Sequence, residues 1–523
     1  MEKKAKEIID RYNRLKGERS QWDSLYEDVC TFVTPRRGGI VAPHVKGGSR
    51  MTRVFSCTAI DANDVFAAGL YGHLCSPPWF NLRPQNPQTE ISDEENTWCS
   101  AATRILHEEL AASNFNLAIF EHFKDLGAIG SGCLFVEEGE ETTLNFLNLF
   151  IADFVYQENR HGLIDTVYRH ITYTARQAVQ EFGEENVGPS VMKAYREPKD
   201  IDKHFEFIHA VYPDNNRRFP FKSVYVAVKD KLIVREGGYY ELPCMADRLD
   251  KESNETYGRG IGVKMLPEIK LLNKMVETTL RAAEKVVEPP LMVPDDGFLS
   301  PLRTVPGGIL YYRAGTPDRI EPLNTHANIG LGLEMEAKRE EAIKQAFFVD
   351  LFKLLAERKN MTATEVLERV EEKLIILGPM LGRLQNELFN PLIERCLGIV
   401  YRAGKLPPLP PGLGMYSVEF TGKLAMAMKQ MEVRSVQNTF NLIAPWVQVN
   451  PEIMDNFDQD KIVRGVGERV GLPGEWLRPR DDVDAIRQQR QEAQAQQLQM
   501  QMAQEAAKVL PDDTKERLLT SGE

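Results

Sequence analysis

Between Val263 and Val287 the sequence carries apolar residues at Leu266, Ile269, Leu272, Met275, Val276, Leu280 and Val287, then stops at Glu288-Pro289-Pro290. Spacings of three and four describe a helix, which at about 1.5 Å per residue would be roughly 37 Å long, with Pro267 tolerated in its first turn. Consecutive prolines forbid its continuation. A Pro- and Gly-rich stretch follows, "LMVPDDGFLSPLRTVPGGILYYRAGTPDRIEPL", with two short strand-like runs, and then a second helical run, "LGLEMEAKREEAIKQAFF". The order is helix, small β-containing tip, returning helix.

A third helix comes after "AERKNMTATEVLERVEEK", Ala356 to Lys373. Thr362 can cap its free N–H groups and Glu365 can complete a capping box, while Glu365 and Glu368 suit the positive end of the helix dipole. Val366, Val370, Leu374, Leu377, Leu381, Leu384 and Leu388 form one apolar stripe, and Gly378-Pro379 and Asn390-Pro391 should kink it. None of this calls for Arg358 or Lys359, whose charges beside a helix N-terminus cost about 0.3–1 kcal/mol each if exposed. On local grounds alone they belong to a solvated loop.

Elsewhere the pattern is mixed, and the fold class it implies is α+β. Residues 1–33 read as an amphipathic helix, with Ile8, Ile9, Tyr12, Leu15, Trp22, Leu25, Tyr26, Val29 and Val33 on the apolar positions. Residues 35–50 are basic and glycine-rich: either a phosphate contact or an exposed loop. Helical patterns return from Cys57 to Leu74 and from Glu94 to Ala112. From about Ile129 to Leu242 the texture is β-rich, with helix-like "TARQAVQEFG" inserted. "RQQRQEAQAQQLQMQMAQEAAKVL", Arg487 to Leu510, is a Gln- and Ala-rich helix former, either self-associating or a frayed tail.

Composition narrows the function. The first residues lack a signal-peptide pattern and no run of eighteen uncharged apolar residues occurs, which speaks against export and membrane spanning. Seven scattered cysteines without a Cys-x-x-Cys pair read as reduced thiols. A net charge of −12 argues against tight DNA binding but not against letting DNA pass. A P-loop is missing, so the chain does not read as a motor. "YGRGIG" follows acidic polar sequence rather than a strand, which argues against a dinucleotide loop. His204 and His209, five apart in a strand, fall on opposite faces, and zinc spacing is absent. Ser131 lacks the full nucleophile elbow and reads as a turn, as does Asp295-Asp296 in "PDDG". Neither a cofactor nor a metal is expected, and the chain does not read as an enzyme.

"YGRGIG", "LPEIKLLNKMVETTLRAAEKVVEPPLMV", "FFVDLF", "MTATEVLER" and "LGPMLGRLQNELFNPLIER", in that order, resemble the head-to-tail connector, or portal, proteins of short-tailed bacteriophages. The N-terminal "AAGLYGHLCSPPWFNLRP" fits the same family. The resemblance covers approximately residues 1–405. It implies a portal-type α+β fold: a wing over 1–262, stem helices over 263–287 and 329–348, a clip over 288–328, a tunnel loop over 349–361, a kinked wing helix over 362–405, and a crown with C-terminal Gln-rich helix and tail over 406–523.

The implied assembly is a homo-oligomeric ring of twelve at one capsid vertex of the virion, built in the host cytoplasm. It is a conduit: double-stranded DNA is packaged through it, without sequence specificity, by a separate terminase whose large subunit is the motor, and later leaves through the short tail. Implied partners are that terminase, a tail adaptor or tail tube protein, and the major capsid and scaffolding proteins. Twelve helices side by side at 8–10 Å give a ring roughly 31–38 Å across their axes. Removing a helix diameter of about 10 Å leaves an opening of about 21–28 Å, enough for B-form DNA.

On this reading Lys353, Arg358, Lys359 and Asn360 line the channel at the tunnel loop, with Glu357 keeping the contact weak. Asp295, Asp296, Phe298, Arg303, Tyr311, Tyr312 and Arg313 are the expected clip contacts to neighbours or partner proteins, since aromatics and arginines anchor interfaces. Rival readings are a minor capsid or scaffold protein without a channel, and an enzyme with no recognisable motif.

Overall fold

The computed structural model describes residues 2–35, 37–41, 51–85, 93–214, 218–289, 291–292, 321–322, 329–356, 377–410, 416–422, 433, 435–437, 439–446, 450, 455–470, 478 and 480–509. The chain divides into two compact units: Met1–Arg83, Trp98–Pro411 and Tyr416–Leu424 in the first, and Pro84–Thr97, Gly412–Met415 and Ala425–Glu523 in the second.

In chain order the first unit begins with helix α1 (Glu2–Phe32), α2 (Thr58–Leu74) and strand β1 (Phe80–Pro84). Then come α3 (Asp93–Ala112), α4 (Phe115–Ala128), β2 (Ser131–Glu138), β3 (Leu144–Leu149), β4 (Phe154–Glu158) and β5 (Ile164–Thr174). After α5 (Ala175–Phe182) and α6 (Pro189–Arg196) follow β6 (His204–Pro213), β7 (Phe221–Ala227), β8 (Leu232–Tyr239) and β9 (Cys244–Arg248).

Strands β4 to β8 form an antiparallel sheet in sequence order. The two-residue period sends successive side chains to opposite faces, and each face meets helices. Ala5, Ile8, Ile9, Tyr12 and Leu15 of α1 pack on Val155, Tyr168, Ile208, Ala210, Val224 and Val226. Ala175, Ala178, Val179, Phe182 and Val191 of α5 and α6 pack on Ile171, Phe205, Phe207, Tyr225 and Ala227 of the other face. Thr174 closes a capping box with Gln177, which starts α5 where the sequence pattern puts it. His204 is exposed while His209 is buried, its ring stacked 3.9 Å from that of Tyr225. Desolvation, with Arg169 and Arg235 nearby, holds the His209 imidazole well below its usual pKa and therefore neutral.

A second sheet, ordered β3-β2-β9, carries α4. Ser131 is not a turn: it is the first residue of β2, and its buried hydroxyl accepts hydrogen bonds from Gly258 N (2.8 Å) and Tyr156 OH (3.2 Å). The turn is Gly130, at φ +89°. "YGRGIG" has a packing role. A Cβ on Gly260 or Gly262 would stand 2.6 Å from Ala128 O, and one on Gly130 would overlap the Arg259–Gly260 backbone. Only glycine lets these two segments cross so closely.

From this crossing α7 (Ile261–Val287) departs, with Gly260 as its N-cap. The helix starts before Val263, so Pro267 is an interior residue rather than a first-turn one. Strands β10 (Leu291–Met292) and β11 (Glu321–Pro322) pair antiparallel and bring together the ends of the intervening segment. Helix α8 (Ile329–Ala346) returns along α7, and α9 (Val349–Ala356) follows after a corner. The expected second stem helix over 329–348 therefore ends at Ala346, because Phe348 adopts φ +57°. The expected loop over 349–361 begins as helix, because Val349, Leu351 and Phe352 are buried.

The chain is helical again over 377–384, passes through a π turn at Gln385–Phe389, and continues as helix Asn390–Arg402. Pro391 has no N–H for the carbonyl four residues back. The chain takes up the mismatch one residue earlier, where Asn390 N bonds Gln385 O, five residues back. Leu377, Leu381, Leu384 and Leu388 of the predicted stripe are all buried. Strand β12 (Tyr416–Phe420) pairs with β1.

The second unit contains helices Gln459–Val470 and Arg480–Val509, joined by a two-pronged ion pair from Arg487 to Asp460, each N···O 2.6 Å. The Gln-rich helix thus starts before Arg487.

Candidate functional site

Helices α7 and α8 form a two-helix arm, and polar contacts join the two helices. Arg339 pairs with Glu268 at 2.7 Å, and Thr279 donates to the buried Glu336 carboxylate at 2.5 Å. Nearer its root, Asn273 accepts from Phe55 N (2.7 Å) and donates to Arg53 O (2.9 Å), while Lys270 reaches Asp28 of α1 at 2.6 Å. Beyond Asn273 no residue of α7 is buried. Leu271, Leu280, Val286 and Val287 of α7 are exposed, as are Leu331, Leu333 and Met335 of α8. Leu271 and Leu280 are nine residues, or two and a half turns, apart and so occupy opposite flanks of α7; Leu331 and Leu333 diverge likewise on α8.

At the corner after α8, Phe347 and Phe352 bury their rings against α2. Phe66 meets each edge-on, at 6.5 and 6.2 Å, and His73 stacks on Phe352 at 5.8 Å. The Phe352 ring occupies the space a Cβ of Gly69 would need. Of the predicted channel residues, Lys353 is described: it is exposed on α9, next to the buried Phe352. Arg358, Lys359 and Asn360 lie outside the described residues, as do the capping residues Thr362 and Glu365. The predicted clip residues Asp295, Asp296, Phe298, Arg303, Tyr311, Tyr312 and Arg313 do so too.

Two buried polar networks, neither of them evident from the sequence, join other parts of the body to the sheets. Arg248 is surrounded by the carboxylates of Glu387 and Glu158 and the carbonyls of Thr256 and Gly162. In the second, His122 Nε2 lies 2.9 Å from Asp247 Oδ1, and its Nδ1 lies 3.2 Å from Asn148 Oδ1. Asn148 donates to Asp125 at 2.7 Å, and Arg37 pairs with Asp125 at 3.1 Å. A Cβ on Gly132 would overlap the His122 ring, so the strand opens a place for it. Burial opposes charge on His122, but Asp247 beside it prevails and its pKa is raised; burial raises that of Asp125.

A cleft beside α1, lined by Glu18, Trp22, Glu158, Asn254, Glu255 and Arg259 among others, resembles a binding pocket in outline. Its carboxylates have structural partners: Glu158 pairs with Arg248 and Lys251, and Glu255 with Arg259. Among the described residues there is no cluster of three or more His, Cys, Asp or Glu side chains placed to hold a metal, and no helix long and apolar enough to cross a membrane.

The described residues thus form a two-helix arm rooted in an α+β body and followed by an aromatic corner, and the sequence comparisons give the class of protein. Residues 5–477 match the family of bacteriophage head to tail connecting proteins, to which this chain belongs. It is 30% identical to the probable portal protein of Bordetella phage BPP-1, over 98% of this chain and 97% of that one. It is 29% identical to the portal protein of Salmonella phage epsilon15, over 97% and 94%. Its function is that of a phage portal, connecting head and tail.

Proposed function

We propose that the chain performs this function as a ring at one capsid vertex, the simplest closed form open to a subunit with two adhesive flanks. The observation that carries the reading is the arm. A subunit with exposed leucines on opposite flanks of the same helices is suited to join its neighbours head-to-tail, and such heterologous contacts form a ring where the rotation between subunits closes and a filament where it does not. A twelve-membered ring in which one helix of each arm lines the channel has an opening of about 21–28 Å, by the packing distances of side-by-side helices.

In this assembly α7 and α8 are the stem and residues 288–328 the clip, where the terminase and later the tail adaptor dock. Residues 1–262 with 362–405 form the wing, and 406–523 the crown, near the major capsid and scaffolding proteins. Segment 349–361 is the channel constriction, entered through α9. Lys353, Arg358 and Lys359 from each subunit supply cations to the phosphates of passing DNA, Asn360 a neutral hydrogen-bonding group, and Glu357 keeps the hold weak. The contacts are to backbone phosphate and carry no sequence preference. Motor chemistry resides in the terminase.

The test is replacement of Arg358 and Lys359 by Ala together. Rings should assemble as before while packaging or DNA retention changes. Loss of ring assembly would assign these cations to subunit contacts and contradict the channel role.

A further inference from the structure

Helix α9 is short, and the Phe352 ring seats it on α2 in the space left by Gly69. We propose that Phe352, seated over Gly69, is a positioning residue for Lys353 and holds its cation outward toward DNA. The proposal rests on the channel reading of 349–361.

Four observations converge on this joint. Glycine is the only residue type at position 69 that leaves room for the Phe352 ring, since any Cβ there overlaps it. Phe66 and His73 close the socket edge-on and face-on, at 6.2 and 5.8 Å. The residue that turns α8 into α9, Phe348, adopts φ +57°, a conformation that strains a bulky side chain and persists only where the surroundings enforce it. Neighbouring helical residues are about 100° apart, so seating Phe352 leaves Lys353 to the side, where it is exposed. Val349 and Leu351 are buried beside it, and Phe352 is the side chain seated in the Gly69 socket, directly before Lys353.

The test compares wild-type rings with Lys353→Ala, Gly69→Ala and the double variant, using a short blunt DNA duplex bound across a range of NaCl concentrations. Phe352→Leu is a second route to the same end, shortening the plug without filling the socket. All of these variants should form rings. Lys353→Ala should flatten the plot of log affinity against log salt by about 0.9 for each phosphate that no longer meets a protein cation. Gly69→Ala and Phe352→Leu should flatten it similarly, and adding either to Lys353→Ala should change nothing further, as expected of residues acting through one group.

If Lys353→Ala lowers the slope and both socket variants keep the wild-type slope, the positioning role is wrong and the channel reading stands. Additive effects of the socket variants and Lys353→Ala would likewise overturn positioning and leave a purely structural role. Intact rings in which Lys353→Ala leaves the slope unchanged would remove Lys353 from the channel and the proposal with it.

Discussion

Arg248 on β9 and Glu387 in the π turn, 139 residues apart, face each other through two side-chain hydrogen bonds of 2.8 and 3.1 Å, and Glu387 also accepts from Arg248 N at 3.1 Å. Both side chains are nearly buried, at 1% and 9% exposure, so the pair is shielded from water and salt. The π turn that accommodates Pro391 is also what carries Glu387. Removing one partner of an isolated buried pair costs about 3–5 kcal/mol, but Arg248 keeps the Glu158 carboxylate and two carbonyls when Glu387 is removed. Glu387→Ala should therefore lower the urea midpoint by less than that range implies, and Arg248→Met, which strips the guanidinium from both carboxylates, should lower it more.

The His122–Asp247 pair makes a pH prediction with a definite sign. The folded pKa of His122 is raised above the ordinary 6.5, so its contribution to stability is fully present below about pH 6.5 and lost as pH rises through the folded value. Urea unfolding should therefore give a lower stability on the alkaline side of that window, and His122→Gln should flatten the dependence there. An unchanged profile in the variant would remove His122 as its cause.

Gly130 and Gly260 predict an intolerance. Alanine at Gly130 faces positive-φ strain of about 1–3 kcal/mol together with overpacking of about 1–3 kcal/mol against the opposing backbone. Thermal unfolding of Gly130→Ala should show a loss in the range of these two terms combined, whereas Gly17→Ala, where the added carbon meets nothing, should not destabilise the fold.

Leu271 and Leu280 predict that assembly can be broken without unfolding the subunit. Burying one leucine contributes about 1.5–3 kcal/mol, so removing it from an interface weakens that association roughly tenfold to a hundredfold. Leu280→Glu should shift rings toward monomers in sedimentation while circular dichroism stays that of the folded chain.

The sequence made the long elements legible and left their joints obscure. Helix α7 was readable because its apolar residues recur at helical spacing and Pro289-Pro290 ends it, and α5 because Thr174 and Gln177 cap it locally. Helix α4 went unread although Phe115, Ile119, Phe123 and Leu126 recur at helical spacing; what no spacing shows is that its buried His122 and Asp125 find their partners Asp247 and Asn148 on β9 and β3. Long-range pairing of this kind leaves no local pattern. The glycines of "YGRGIG" were visible, but their purpose depends on Ala128 and Gly130, more than a hundred residues earlier. For the candidate site, Lys353 was picked out by charge, while the socket that seats its neighbour is set by Gly69, a residue with no side chain to attract attention.

A ring with a channel is tested most directly by negative-stain imaging of the purified chain together with its mass in solution. Rings of about twelve subunits with a central hole of about 21–28 Å, close to the width of a DNA duplex, are the predicted result. A compact monomer or dimer that never forms rings, even when concentrated, would contradict it.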